Sequence, residues 1–142
     1  MRILPVKLQI KTTFSFSKLA KNINSILKGT SSTIAKQWET ETLNNIDNQR
    51  GRVGEKLADN TPFTIRLKGH SKVMVDTGSL LTSIRAKDDT LSMNGYGWDN
   101  HVGIKRPKRP FIGFAEGHPN YDKNSKEVFK TISKDIGKAL KK

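Results

Sequence analysis

The sequence predicts an α+β fold, a small antiparallel or mixed β-sheet flanked by an N-terminal helical region and a C-terminal helix. Three patterns carry this expectation. Apolar residues in the N-terminal third recur every three or four positions, the period of a helix. Two short runs on either side of Asp88-Asp89 alternate instead, as a hairpin does. From Val128 the helical period returns and holds almost to the last residue. At 142 residues, the chain is expected to form a single domain over 1–142, with exposed loops at about 48–72 and 97–109.

The first element expected is a half-buried strand over residues 2–11, where Ile3, Val6, Leu8 and Ile10 are apolar and Pro5 suits a first or edge position. Ser17 is a good N-cap, and Leu19, Ile23, Ile26 and Leu27 mark a helix face that Gly29 would end. A second helix is expected to start within Thr30-Ser31-Ser32-Thr33, with Ile34, Trp38, Thr42 and Ile46 on one face. These two stretches are either separate helices or one kinked helix. Trp38 is read as a core anchor on an amphipathic face rather than as a stacking platform for a base.

Residues 48–72 lose the pattern. The run 63–68 alternates as a strand would, between turns at Asn60-Thr61-Pro62 and Gly69-His70-Ser71-Lys72. Val73 and Val75 read as the end of an extended segment. Asp76 and Thr77 then start a short helix, with Gly78 free to adopt an unusual φ and Leu80, Leu81 and Ile84 on its apolar face. Residues 83–87 and 91–96 form the expected hairpin, and 97–101 a loop or strand end. Lys105-Arg106-Pro107-Lys108-Arg109-Pro110 holds four cations and two prolines in six residues, so it is expected to be extended and exposed. Asn124 and Glu127 fit a capping box for the last helix. There Val128, Phe129, Ile132, Ile136, Ala139 and Leu140 face the core, and lysines 126, 130, 134, 138 and 141 face solvent.

Composition narrows the function. The net charge is +13, and the excess is held at the two ends: residues 1–28 carry six cations and no acid, while 102–142 carry eleven cations and four acids. Such charge suits nucleic acid, an acidic partner or solubility. With no cysteine, disulfides, thiolate catalysis and the commonest structural zinc sites are excluded. The first residues lack the apolar length and cleavage site of a signal peptide, and no apolar run reaches membrane-spanning length, so synthesis and residence in a cytoplasm are expected. Neither a phosphate loop nor a nucleophile elbow occurs, and His70, His101 and His118 lie far apart. Asp76 reads as a helix cap and Asp88-Asp89 as turn residues. A non-enzymatic protein without metal or cofactor is expected. Lys105, Arg106, Lys108 and Arg109 form a dense cluster that could neutralise phosphates without reading bases, or dock on an acidic neighbour.

Two stretches taken together carry a resemblance. Val75-Asp76-Thr77-Gly78-Ser79-Leu80-Leu81-Thr82-Ser83-Ile84, followed about thirty residues later by Arg109-Pro110-Phe111-Ile112-Gly113-Phe114, resembles the virion-morphogenesis or tail-completion family of tailed bacteriophages. That family shows a Leu-x-Asp-Thr-Gly-x-Leu-x-x-Ser-Ile motif, an alternating strand pair, and an Arg-x-Phe-Leu-Gly motif before a C-terminal helix. The matching positions are Asp76, Thr77, Gly78, Leu80, Ser83, Ile84, Arg109, Phe111 and Gly113. Residues 52–67 lack the tryptophan that family members often carry there. The match therefore leaves open tail completion, tail termination and head–tail joining. The resemblance implies a structural virion protein with a tail-terminator-like fold, assembled at the neck as a ring, commonly of six. Its partners would be the tail tube protein and the connector or head-completion protein, with non-specific contact to genomic DNA through Lys105, Arg106, Lys108 and Arg109. The competing class is a free, non-specific nucleic-acid-binding protein using the same basic loop.

Overall fold

The computed structural model describes residues 15–141. The strand expected over 2–11 lies outside the described residues. The architecture is α+β, in the order α1 (Phe16–Asp47), α2 (Pro62–Lys68), α3 (Ser79–Ser83), β1 (Arg85–Lys87), β2 (Thr90–Ser92), α4 (Gly95–Val102) and α5 (Tyr121–Leu140).

The N-terminal helical region is one continuous helix. Ser15, not Ser17, is its N-cap, with the Ser15 hydroxyl accepting from the Lys18 N–H at 3.4 Å. Gly29 does not stop it but lies within the helix, where its carbonyl also accepts from Thr33 Oγ1 at 3.0 Å. Thirty-two residues give a rod about 48 Å long. The rod serves two neighbours on different faces. Its C-terminal half carries the hairpin, tied by the Ala86 N–H donating to Glu39 Oε2 at 2.8 Å. Another face meets α5, which runs antiparallel: Gln37 Nε2 bonds the Asn124 carbonyl at 3.2 Å, and eight residues earlier Gly29 lies beside Asp135.

Among the described residues the sheet has two strands. β1 and β2 form a two-stranded antiparallel hairpin, with Ala86 opposite Leu91 and a two-residue Asp88-Asp89 turn in which Asp88 has φ 53°. The second run leaves the strand conformation after Ser92. Asn94 then caps α4, its side chain accepting from the Gly97 N–H at 3.1 Å, so residues 97–101 are helix rather than loop. Residues 63–68 are also helix, not strand. Thr61 caps α2 through the Thr64 N–H, Pro62 occupies its first turn, and Gly69 closes it at φ 74°.

The expected extended segment at Val73–Val75 is a buried turn with Met74 at φ 60°. Asp76 makes no cap. Gly78 is the N-cap of α3 at φ 80°, a left-handed conformation that favours glycine, and the Thr77 hydroxyl accepts from the Ser79 N–H at 3.4 Å. At the C-terminus the capping-box expectation also fails. The helix begins at Tyr121, which places Asn124 within it, buried and donating to Glu41 Oε1 at 3.0 Å.

The core sits between the C-terminal half of α1, the hairpin, α3, α4 and the segment after Arg109. It comprises Ile46, Leu57, Val73, Met74, Leu80, Ile84, Phe111 and Ile112, with Trp38, Leu43, Leu91, Met93 and Tyr96 packed around it. In the first half of α1, residues 16–34, no side chain is fully buried, and Asn124 is the single buried residue of α5. The helix pair therefore leaves the core as an arm. The expected lysine face of α5 is exposed, but so are Phe129, Ile136 and Leu140, which had been expected to face the core.

Candidate functional site

The two resembling stretches meet in one place. Leu80 and Ile84 share the core cluster with Phe111 and Ile112. The Ser83 hydroxyl donates to the Leu80 carbonyl at 2.7 Å and accepts from the Asn94 N–H at 3.1 Å, which fixes the hairpin's return to α4. Asp76 and Thr77 stay at the surface.

The segment after Arg109 is latched to α1 by buried polar side chains. Asn45 Nδ2 donates to the carbonyls of Phe111 and Gly113 at 2.9 and 2.8 Å, and Thr42 Oγ1 accepts from the Gly113 N–H at 2.9 Å. Gly113 has φ 68°, and an added Cβ would lie 2.6 Å from Trp38 Cδ2, so this position needs glycine twice over. Asn45 Oδ1 accepts from His118 Nε2 at 2.9 Å and Arg50 Nε at 3.2 Å, which saturates the amide. His118 Nδ1 accepts from the Asn120 N–H at 3.1 Å, so the imidazole is neutral with its proton on Nε2. Burial holds His118 below its ordinary range, and the Arg50 guanidinium lowers it further against the opposing pull of Glu41 and Glu55. Glu41 completes the group. Burial raises its carboxyl, but the amides of Asn124, Asn120 and Asn44 outweigh this and leave it below the usual value. The whole cluster is saturated internally and acts as a bolt between α1, α5 and the 109–120 segment.

The basic segment divides. Lys105, Arg106 and Lys108 are exposed, with Lys105 at φ 57° and the Arg106 guanidinium 4.5 Å over the Tyr96 ring. Arg109 is not part of this surface. It is only 6% exposed, and its guanidinium donates to the Ala58 carbonyl at 2.8 Å, Asn100 Oδ1 at 2.9 Å and the Asp59 carbonyl at 3.0 Å. The fork pins the 58–60 loop to the end of α4. The physical reason is geometric, since three carbonyl-type acceptors converge where only a planar, multi-donor cation satisfies all of them. The exposed cations thus hang from a clamped base, flanked by Pro107 and by Gly103 at the end of α4.

A cleft of about 380 Å³ opens between α1, the hairpin and α4. Ile34, Trp38, Leu91, Trp98 and Ile112 line it, with Ser31 and Asp89 at its polar edge. Asp89 is its one titratable residue, so no acid–base pair converges there. His101 lies behind Trp98, edge-on to Trp98 and Phe111; its Nδ1 accepts from the Ile112 N–H at 3.3 Å. Burial, then Arg52 and Lys108, lower its pKa, which keeps it a neutral packing group. Among the described residues no set of three or more His, Asp or Glu side chains could hold a metal ion, and no helix is long and apolar enough to cross a membrane.

The cleft, the polar bolt and the exposed apolar side chains of α2 were not anticipated from sequence. Asn45 between Thr42 and Ile46 on the apolar face of α1 was the available signal for the bolt. Phe63 and Leu67, four apart, were the signal for a helix carrying an apolar face. No protein-family model, curated protein or solved structure matches the chain.

Proposed function

We propose that this chain is a structural subunit of the neck of a tailed bacteriophage, which completes or caps the tail and joins it to the DNA-filled head as a member of a ring. The observation that carries the proposal is the cooperation of the two resembling stretches. Leu80 and Ile84 pack with Phe111 and Ile112, and Gly113 is required by Trp38 and by its own φ. Of the resembling positions, Leu80, Ile84, Phe111 and Gly113 are therefore ones on which the core depends, whereas Asp76 and Thr77 lie at the surface. An α+β subunit with a clamped basic loop and an apolar cleft suits a part that touches neighbours rather than one that turns over substrate.

In this proposal Lys105, Arg106 and Lys108 meet DNA in the channel or an acidic face of the adjoining ring, while Arg109 holds the loop in place. A free, non-specific nucleic-acid binder is the second reading, favoured by the exposure of the same three cations on one loop. Particles made without the protein test the two. Separate heads and tails support the neck role; intact, infectious particles overturn it. Replacing Lys105, Arg106 and Lys108 by Gln should leave the fold intact and lower the yield of joined particles.

A further inference from the structure

We infer that Phe63 and Leu67 of one copy seat in the Trp38–Trp98 cleft of a second copy of this chain, with Arg66 against the Asp88-Asp89 turn, so that copies join head-to-tail. The inference rests on the ring proposal and names where the copies touch. α2 is a seven-residue helix closed at both ends, by Thr61 and by Gly69. Phe63 and Leu67 are four residues apart, so they share a face, and they are 62% and 72% exposed. No described part of the chain covers them. A short capped helix that presents an aromatic and a leucine outward is shaped as a plug.

The same chain carries a matching socket. The cleft walls are Ile34, Trp38, Leu91, Trp98 and Ile112, and Trp98 is itself about half exposed. Charge selects the partner. In a chain of net charge +13, Asp88-Asp89 is the one consecutive pair of acids, and Asp89 stands at the lip of the cleft. Arg66 stands on α2 three residues after Phe63, exposed and without a salt bridge among the described residues. Plug and socket are different surfaces of one chain, so the contact is heterologous and repeats from copy to copy, closing into a ring or running on as a filament.

The absence of cysteine allows a clean test. Chains carrying Pro62→Cys, beside the plug and not part of it, and Ser31→Cys, on the cleft wall, are mixed at high concentration and oxidised. Heterodimer should exceed both homodimers several-fold, and the double variant should give a ladder of higher species. Adding Arg66→Asp to the first chain should lower the heterodimer several-fold, and adding Asp89→Arg to the second, which leaves Asp88 in its positive-φ turn position, should restore most of it. Both cysteine sites avoid the buried core, and unchanged circular dichroism checks the fold. A heterodimer no more abundant than the homodimers, or a yield indifferent to the charge exchange, overturns the inference. If that happens while particles lacking the protein still fall into heads and tails, this contact is wrong and the neck role stands.

Discussion

Removing the Arg109 guanidinium leaves buried Asn100 Oδ1 without its donor and frees the part-buried carbonyls of Ala58 and Asp59. Arg109→Met should therefore lower the unfolding free energy by about 1–3 kcal/mol, because one stranded buried acceptor costs more than a lost hydrogen bond that water can replace. Chemical denaturation measures it; a loss below about 0.5 kcal/mol would mean the clamp is not formed. The second residue-scale consequence concerns acid. The pKa of His118 is lowered in the folded chain, so the unfolded chain binds more protons as pH drops below the ordinary value of 6.5. Its contribution is present above that value and is lost as pH falls toward the folded pKa. The lowered pKa of Glu41 acts with the same sign at lower pH. Thermal melts should show the melting temperature falling between pH 7 and 5. His118→Gln, which keeps a donor toward Asn45, should flatten that fall; an equally steep profile in the variant would remove His118 as the cause.

At the scale of elements, α1 is the spine, and its continuity through Gly29 can be tested directly. An added Cβ at Gly29 meets Asp135 Oδ2 at 3.7 Å, an ordinary contact, and the site is helical. Gly29→Ala should raise stability by about 0.5–1 kcal/mol, the helix-propensity difference. Had Gly29 closed a first helix in the left-handed conformation, the same change would destabilise. A fall in melting temperature would therefore restore the two-helix arrangement. α2 shows why a short run is hard to assign. Phe63, Ile65 and Leu67 satisfy a period of two, while Phe63 and Leu67 alone satisfy a period of four. A strand needs a partner edge, and no described strand offers one to this segment. Thr61, Pro62 and Gly69 supply both helix ends locally, and the local signals decide the conformation.

For the molecule as a whole, the sequence determined the class of fold, the hairpin about Asp88-Asp89, the helical character of the N-terminal region and of the C-terminal stretch, and the exposure of Lys105, Arg106 and Lys108. Each follows from side-chain period, turn chemistry or the dihedral limits of proline, all of which are local. It also picked out Asp76 to Ile84 and Arg109 to Gly113 as the stretches to compare, though not what they touch. The tertiary structure alone decided the rest. Arg109 left the cationic surface because distant carbonyls at 58 and 59 converge on it. Asn124 became a buried partner of Glu41 instead of a cap because α5 starts a turn earlier and lies on α1. Phe129 stayed exposed because the arm has no third helix to cover it among the described residues. The Trp38–Trp98 cleft exists only where α1, the hairpin and α4 meet. Contacts between residues far apart in the chain leave no periodic trace in it, and burial of a charge or an amide depends on such contacts.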